Sequence, residues 1–149
     1  MTSAAERAKD VTFRLFTGAH EAVFKATKGR VLGRAGRMPV VLLETTGRKT
    51  GKRRSTMLTA PVVDGDKVVL VASFGGDRRH PAWFLNLREH PDVVVTMEGR
   101  TRELRARVAT EDEKAELWPR IVAAYRGYAA YQRRTDRDIP VVILEPRPA

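Results

Sequence analysis

Short apolar runs, separated by glycine, proline and charged residues, form the main pattern along this chain. Continuous aliphatic stretches at residues 39–46 (PVVLLETT), 67–73 (KVVLVAS) and 139–146 (IPVVILEP) are typical of buried strands. The segment 101–110 alternates apolar residues with arginines, which is the two-residue period of a strand with one solvated face. The pattern therefore predicts a protein built around a β-sheet.

Two β-hairpins are predicted at glycine-containing turns between such runs. Asp64-Gly65 forms one turn and Gly99 lies in the other, and glycine suits a tight hairpin because it tolerates a positive φ angle. These hairpins make the predicted sheet mostly antiparallel. The paired runs are 55–63 with 67–73, and 92–97 with 101–110.

Two helices are predicted in the first 90 residues. Residues 7–28 place apolar side chains at helical spacing and end at Gly29, and residues 81–90 (PAWFLNLREH) read as a shorter helix that begins near a proline. The basic, glycine-rich stretch 29–38 and the segment 75–80 (GGDRRH) are predicted loops.

A third helix is predicted from the capping-box pair Thr110 and Glu113. It extends to about Tyr125, and we expect it to continue past Gly127 through residues 125–134 (YRGYAAYQRR). Together, about six strands joined mostly as hairpins, with helices between and at the ends, predict an α+β protein. The architecture expected is an antiparallel barrel or half-barrel with helical covers.

The three tyrosines of the chain, Tyr125, Tyr128 and Tyr131, are spaced by three residues and are therefore predicted to share one helical face. Such a face is either an amphipathic seam whose hydroxyls reach water or a row of phenols over an aromatic ligand. The segment 82–87 (AWFLNL) also has two interpretations: its side chains either pack in the core or line a pocket.

Composition narrows the classes of chemistry. The 149 residues suit one domain, and 28 basic against 18 acidic side chains give a net charge of +10, which attracts anions. The chain has no cysteine, so thiol catalysis and thiolate metal sites are excluded, and its three histidines are scattered, so we expect no metal. The N-terminus lacks the apolar core of a secretory signal, so we expect a cytoplasmic protein.

The densest cationic segment is residues 47–54 (GRKTGKRR), the basic turn, which holds five positive charges and two glycines. Its glycine spacing and the strand that follows exclude a P-loop. Glycine backbone amides and forked arginine donors still suit an anion, although a solvated hairpin tip has the same composition. No recognition helix or aromatic-rich strand accompanies the charges, so we do not expect nucleic acid.

Three segments in this order resemble the deazaflavin-dependent nitroreductase family: 42–58 (LLETTGRKTGKRRSTML), 69–87 (VLVASFGGDRRHPAWFLNL) and 125–146 (YRGYAAYQRRTDRDIPVVILEP). The resemblance covers residues 38–146. It implies a split β-barrel of the FMN-binding-like kind that binds the reduced deazaflavin coenzyme F420. It also implies hydride transfer to a quinone, a nitro compound or a similar unsaturated acceptor.

The resemblance also implies which residues contact the coenzyme. The basic turn is expected to hold its phosphate and acidic tail, the following strand to lie beside the tail and ring, and Tyr128 to lie on the substrate side of the ring. The coenzyme-binding residues implied are Arg48, Lys49, Thr50, Gly51, Arg54, Ser55, Thr56, Met57, Leu58, Thr59, Ala60, Val71, Ala72, Ser73, Phe74, Ala82, Trp83, Phe84, Leu85, Asn86 and Tyr128.

Catalysis is expected to consist mostly of positioning, with hydroxyl donors meeting negative charge on the acceptor. The expected donors are Tyr128, Tyr131 and Ser73, and the ring is expected between Phe74 or Trp83 and the tyrosine helix. Relatives often carry proline where this chain has Met57, a difference that affects the acceptor more than the coenzyme.

Alternatives stay open from the sequence alone. An FMN-binding split barrel and a non-catalytic polyanion-binding module each fit the basic turn. We divide the chain into an N-terminal helix, residues 1–30, and a barrel domain, residues 31–149. The helix combines apolar and basic residues, so peripheral contact with the inner face of the cell membrane is a further expectation.

Overall fold

The computed structural model describes residues 34–35 and 38–148 of the chain. The helix predicted at 7–28, and with it the boundary near residue 30, lies outside the described residues. The predicted loop 29–38 is described only in part, and there Arg34–Ala35 pairs with Met38 and Pro39 as a short strand.

The described residues form one antiparallel sheet of eight strands. Its order is β1-β2-β6-β7-β8-β5-β4, and β3 pairs with β2. The α+β class and the antiparallel arrangement are therefore confirmed. The strands are β1 Arg34–Ala35, β2 Met38–Thr46, β3 Arg53–Thr59, β4 Val62–Asp64, β5 Lys67–Val71, β6 Asp92–Met97, β7 Arg100–Val108 and β8 Val141–Pro146.

Three α-helices accompany the sheet, and they are α1 Ala82–Glu89, α2 Glu111–Ala124 and α3 Gly127–Arg134. The predicted capping box is present, because the Thr110 hydroxyl accepts from the Glu113 N–H while the Glu113 carboxylate accepts from the Thr110 N–H. A single 3₁₀ turn, Phe74–Gly76, lies between β5 and α1.

Both predicted hairpin turns are confirmed, but only Val62–Asp64 of the run 55–63 pair with β5, because β3 pairs with β2 instead. β4 and β5 pair through Asp64 and Lys67, and Gly65 between them has a φ of 59°. β6 and β7 pair through Met97 and Arg100. There Glu98 and Gly99 have φ angles of 49° and 79°, as a two-residue turn of the primed kind requires.

The prediction of about six strands was too low. The run 55–63 is two strands, since β3 ends at Thr59 and β4 begins at Val62. Pro61 lies at the break and has no N–H to donate to a sheet partner, while the preceding Ala60 N–H donates to the Pro39 carbonyl at 3.0 Å. The chain therefore bends between β3 and β4 and leaves one edge of the sheet for another.

The prediction of one helix through 125–134 is wrong. α2 ends at Ala124, and Tyr125 is extended, with φ −156° and ψ 112°. The Tyr125 ring folds over Gly127, where an added Cβ would lie 2.2 Å from a ring carbon. Glycine is a poor helix former, and here its missing side chain lets the ring close over the backbone. The three tyrosines therefore do not share one helical face.

Both faces of the central strands are buried, which explains the continuous apolar runs. On β5, Val68 and Leu70 join a core with α1, while Val69 and Val71 join a second core with α2 and α3. Successive side chains of a strand point to opposite faces, so α1 and the α2–α3 pair cover opposite sides of the sheet.

Candidate functional site

The basic turn is a closed loop at the end of the β2–β3 hairpin. The Gly47 N–H donates to the Lys52 carbonyl at 2.8 Å, and the Gly51 N–H donates to the Gly47 carbonyl at 2.8 Å. Gly51 has a φ of 71°, a conformation that an L side chain adopts only with strain. The Thr50 hydroxyl accepts from the Lys52 N–H at 3.2 Å. The backbone of the turn is thus defined by its own hydrogen bonds.

Four cations on this turn are exposed: Lys49, Lys52, Arg53 and Arg54. Within residues 38–148, none of the four forms an ion pair. Like charges packed this closely repel one another, so an anion bound between them stabilises the turn. The donor set, with ammonium and guanidinium groups together, matches phosphate and carboxylate oxygens.

Asn86 fixes the turn to the body of the protein. Its side-chain oxygen accepts from the Arg48 backbone N–H at 3.1 Å and from the Arg48 guanidinium at 3.2 Å. Its amide nitrogen donates to the Thr45 hydroxyl at 3.2 Å. Asn86 is only 5% exposed, so it acts on the turn from inside α1. The structure places Asn86 behind the turn, and its expected contact with the coenzyme stays a prediction.

β3 leads from the basic turn toward the tyrosines. Ser55 is exposed, residues 56–59 are half-buried, and Ala60 is buried. At the far end the hydroxyls of Thr59 and Tyr128 lie 2.9 Å apart. β3 therefore joins the basic turn to Tyr128, with its successive side chains on alternate faces.

The aromatic residues of α1 belong largely to the core. Trp83 and Phe84 are 8% and 2% exposed and pack edge to face, with ring centroids 6.4 Å apart. Leu58 and Leu85 are only partly buried and pack against the same core, and Ala82 is exposed. The surface beside β3 is therefore offered by Leu58, Leu85 and Ala82 more than by the two aromatic rings.

The segment after β5, residues 72–80, is the Ser73 loop. Val71 and Ala72, which precede its turn, are buried, and Ser73 is 8% exposed. Phe74 has a φ of 46°, which is unusual for a residue with a side chain, and Gly75 and Gly76 have φ angles of 62° and 80°. Backbone strain of this kind is common at functional sites. Within the described residues no hydrogen bond involves the Ser73 hydroxyl.

The three tyrosine rings still meet, although they do not lie on one helix. Tyr125 and Tyr128 have centroids 5.4 Å apart, and Tyr131 lies about as close to each of them, at 6.1 and 6.2 Å. Tyr128 is 5% exposed, and its hydroxyl faces Thr59 and the Met38 sulfur. Tyr125 is 44% exposed, and its hydroxyl lies 3.3 Å from that of Tyr131. The cluster therefore has a buried member and a solvent-facing pair.

The electrostatic environment keeps these phenols protonated. Burial raises the pKa of Tyr128, and the hydrogen bond with Tyr125, followed by burial, raises the pKa of Tyr131 to about 12. Both groups are neutral hydroxyls at physiological pH, available as hydrogen-bond donors.

Sequence reasoning missed Arg137, which follows α3. Its guanidinium bonds to the Ser73 loop at four points, and the loop's position therefore depends on it. The bonds go to the carbonyls of Ala72 (3.1 Å), Ser73 (2.8 Å) and Asp77 (2.9 Å) and to His80 Nδ1 (3.2 Å). No motif marks Arg137, because it is one of many arginines in this chain and only the fold shows its partners.

Residues 34–35 and 38–148 contain no group of three acidic or histidine side chains arranged to hold a metal ion. No helix among them is long and apolar enough to cross a membrane.

The antiparallel sheet with its helices has the split-β-barrel fold of a class of reductases. A solved structure described as an F420-H2 dependent reductase (FDR-A) is 42% identical, covers 72% of this chain and 94% of its own, and has a TM-score of 0.66. A second, described as a domain-swapped dimer, is 35% identical, covers 90% and 99%, and has a TM-score of 0.69.

The sequence gives the same assignment in finer form. Residues 16–146 match the family described as F420H(2)-dependent quinone reductase, and the chain belongs to that family. The F420H(2)-dependent quinone reductase Rv1261c of Mycobacterium tuberculosis is 41% identical over 133 residues, which cover 86% of this chain and 88% of the relative. The expected family and its coenzyme, F420, are thereby confirmed.

Proposed function

We propose that this protein reduces quinones with a hydride from reduced coenzyme F420, that the basic turn holds the acidic tail of the coenzyme, and that the tyrosine cluster and the Ser73 loop meet the acceptor. The observation that carries the site assignment is a group of four exposed cations, without ion-pair partners among residues 38–148, on a turn held in place by Asn86.

The basic turn fits the coenzyme in charge and in geometry. The tail carries a phosphodiester and carboxylates, and the turn offers Lys49, Lys52, Arg53 and Arg54 without acidic neighbours in ion-pair range among residues 38–148. Because the backbone of the turn is already closed, little conformational freedom is lost on binding, which favours affinity.

The deazaflavin ring, when bound, supplies the hydride, and this chemistry requires no thiol and no metal from the protein. The chain's own task is to hold the two reactants in register and to exclude water. Leu58 of β3 and the neighbouring Leu85 of α1 are half-buried against the same core and provide an apolar surface for a flat ring, while Met57, next to Leu58 on the strand, points to the opposite face. Positioning of this kind can lower a barrier by several kcal/mol, roughly 7–11 in the best cases.

Tyr131 is the best-placed donor to the acceptor. Its hydroxyl contacts only that of Tyr125 within the described residues, and the pair lies toward solvent. Tyr128, by contrast, directs its hydroxyl at Thr59 and the buried Met38 sulfur. Ser73, whose hydroxyl has no partner in the same part of the chain, is the second donor. Tyr128 then forms the wall behind the site.

The finer assignments are also proposals. Nitro compounds present a polar, planar, electron-poor group that the same hydroxyls would meet, so we propose them as further acceptors. Quinones reside in lipid, so we propose that residues 1–30 contact the membrane surface as a separate segment before the barrel. Co-sedimentation with anionic liposomes, with and without residues 1–28, tests this proposal.

Coenzyme oxidation tests the function directly. Purified protein is mixed with reduced F420 and a panel of quinones and nitroaromatics, and the absorbance of the oxidised coenzyme is followed, with FMN as the control cofactor. Tyr131→Phe should lower kcat by about 10²-fold if its hydroxyl donates to the acceptor. Tyr128→Phe should cost about 1 kcal/mol of stability and change kcat less. Equal turnover in wild type and Tyr131→Phe would remove Tyr131 from the mechanism.

A further inference from the structure

The guanidinium of Arg137 holds the Ser73 loop at both ends. One terminal nitrogen donates to the carbonyls of Ala72 and Ser73, at 3.1 and 2.8 Å. Nε donates to the Asp77 carbonyl at 2.9 Å, and the other terminal nitrogen lies 3.2 Å from His80 Nδ1. Arginine has no acceptor, so His80 Nδ1 must accept, and the His80 proton is on Nε2. All three guanidinium nitrogens are thus used on one nine-residue segment.

The loop needs such a restraint because its backbone is strained. Phe74 has a positive φ, a backbone conformation that is unfavourable for a residue with a side chain. Strain of this kind persists only where surrounding contacts over-determine the conformation. The carbonyls of Ala72 and Ser73 directly precede Phe74, and Arg137 orients both.

The loop is also fitted against α3. A Cβ added to Gly76 would lie 2.9 Å from the Tyr131 carbonyl oxygen and 3.1 Å from the Arg134 Cβ. The backbone of the loop therefore contacts the helix that carries Tyr131 with no space for a side chain between them. A shift of the loop changes the position of Ser73 relative to Tyr131.

Arg137 is itself held from two helices. Gln132 of α3 donates to the Arg137 carbonyl at 2.8 Å and accepts from the Ile139 N–H at 3.0 Å. Lys114 of α2 donates to the Asp138 carboxylate at 2.6 Å and to the Ile139 carbonyl at 2.7 Å. The segment between α3 and β8 is therefore a firm base from which Arg137 reaches the loop.

We propose that Arg137 is a positioning residue of the reductase: it sets Ser73 and Phe74 against Tyr131 in the geometry that hydride transfer requires, while the basic turn independently binds the coenzyme tail. This inference rests on the proposed function. It assigns Arg137 a larger effect on turnover than on coenzyme affinity, because its contacts reach the segment expected beside the ring and none of them reaches the basic turn.

The kinetic test uses two variants. Arg137→Met keeps an unbranched stem and removes every hydrogen-bond donor, and Arg137→Lys restores a single cationic donor group. Arg147→Met is the matched control, since Arg147 also donates to two backbone carbonyls, those of Leu104 and Val93, and neither belongs to the loop. Arg137→Met should lower kcat about tenfold or more and leave the Kd for F420 within about threefold of wild type. The kcat of Arg137→Lys should lie between those of wild type and Arg137→Met, and Arg147→Met should keep the wild-type kcat.

A second readout does not depend on activity. Amide hydrogen exchange in residues 73–80 should become about tenfold faster or more in Arg137→Met and stay unchanged in Arg147→Met, because local opening is governed by local contacts. If Arg137→Met does not fold, kcat and amide exchange are both measured on Arg137→Lys, and each should change by an intermediate amount.

The possible results distinguish a failure of the Arg137 proposal from a failure of the proposed function. Wild-type kcat in the folded Arg137 variants, or unchanged loop exchange, overturns the proposal, as does a loss of coenzyme affinity as large as the loss of kcat. If the wild-type chain oxidises no reduced coenzyme, the proposed function fails. In that case the exchange measurement alone still decides whether Arg137 orders the loop.

Discussion

Arginine serves two different purposes in two regions of this molecule. On the basic turn, Arg53 and Arg54 lie exposed beside two lysines and without acidic partners among residues 38–148. Elsewhere the paired arginines each meet a carboxylate. They are Arg79 with Asp77 (3.0 Å), Arg105 with Asp92 (3.0 Å), Arg107 with Glu113 (2.7 Å) and Glu145 (2.9 Å), Arg120 with Asp64 (2.7 Å), and Arg147 with Asp92 (3.6 Å) and Glu103 (3.6 Å).

The difference teaches how to interpret the charge of +10. Total charge counts both regions alike, but a paired guanidinium has its donors engaged and attracts a further anion weakly. Arg107 is the clearest case, because its hydrogen bonds lower the pKa of Glu113 to about 2. Within residues 38–148 the turn brings four such cations together, whereas other exposed arginines without an ion pair, such as Arg88, Arg100 and Arg126, lie apart from it in the chain. The local density of cations without acidic partners, rather than the total charge, identifies the site.

Charge reversal should separate the two regions most strongly. Lys49→Glu with Arg54→Glu replaces two attractions for the coenzyme tail by repulsions, and each charged hydrogen bond is worth about 1.5–3 kcal/mol, so the Kd for F420 should rise about 10²-fold or more. The salt dependence of binding should flatten as well. Titration of coenzyme fluorescence at two ionic strengths measures both.

The matched control changes net charge by the same amount in the other region. Arg105→Glu with Arg120→Glu removes two exposed ion pairs and should leave the Kd within a few-fold, because those groups lie outside the turn. Equal weakening by both double variants would mean that overall charge, and not the turn, attracts the coenzyme.

Loss of the Asn86 anchor should have a smaller effect on binding. Asn86→Leu leaves the Arg48 N–H and the buried Thr45 hydroxyl without their partner, at a cost of about 1–3 kcal/mol in unfolding free energy. A loosened turn must be ordered by the ligand, so the Kd for F420 should rise about tenfold. Chemical denaturation and coenzyme titration measure the two quantities.

Thr96→Val tests whether such an effect is specific. It removes a hydrogen bond of 3.0 Å with Thr101 in the β6–β7 hairpin, at a cost of about 1 kcal/mol. Binding should be unchanged. If Thr96→Val weakens the coenzyme as much as Asn86→Leu does, general destabilisation explains both and the anchoring role is lost.

The smallest expected effect concerns pH and the paired arginines. Arg107 lowers the pKa of Glu113 from its ordinary 4.5 to about 2, so the unfolded chain binds the proton more readily than the folded one. The pair therefore stabilises the fold fully above pH 4.5, and this contribution is lost as pH falls toward 2. Glu113→Gln keeps the capping box and removes the charge, and should cost about 0.5–1 kcal/mol at pH 7.

Thermal unfolding from pH 7 to pH 2.5 checks this prediction. The difference in Tm between wild type and Glu113→Gln should shrink as the pH falls below 4.5. Glu103 is largely exposed, and its carboxylate lies 3.6 Å from the Arg147 guanidinium, a longer and weaker contact than that of Glu113. Glu103→Gln should therefore follow the wild-type dependence of Tm on pH. A constant difference in Tm across the range would contradict the assignment.

Local patterns were sufficient wherever neighbouring residues decide the structure. The hairpin turns at Gly65 and Gly99 and the capping box at Thr110 were predicted correctly, since each depends on backbone angles or hydrogen bonds within a few residues. The family resemblance also followed from short segments in order. What periodicity alone did not show was the break at Tyr125, because it depends on a ring closing over Gly127.

The features of the candidate site also fall into those that the sequence alone predicts and those that only the fold shows. Sequence alone located the basic turn, because five charges and two glycines stand together in the chain. Only the tertiary structure decided which cations have acidic partners, that Asn86 lies behind the turn, and that Arg137 reaches a loop some 60 residues away. Those contacts join residues distant in sequence, and no local pattern carries them, since burial and pairing are set by how the sheet and its helices pack.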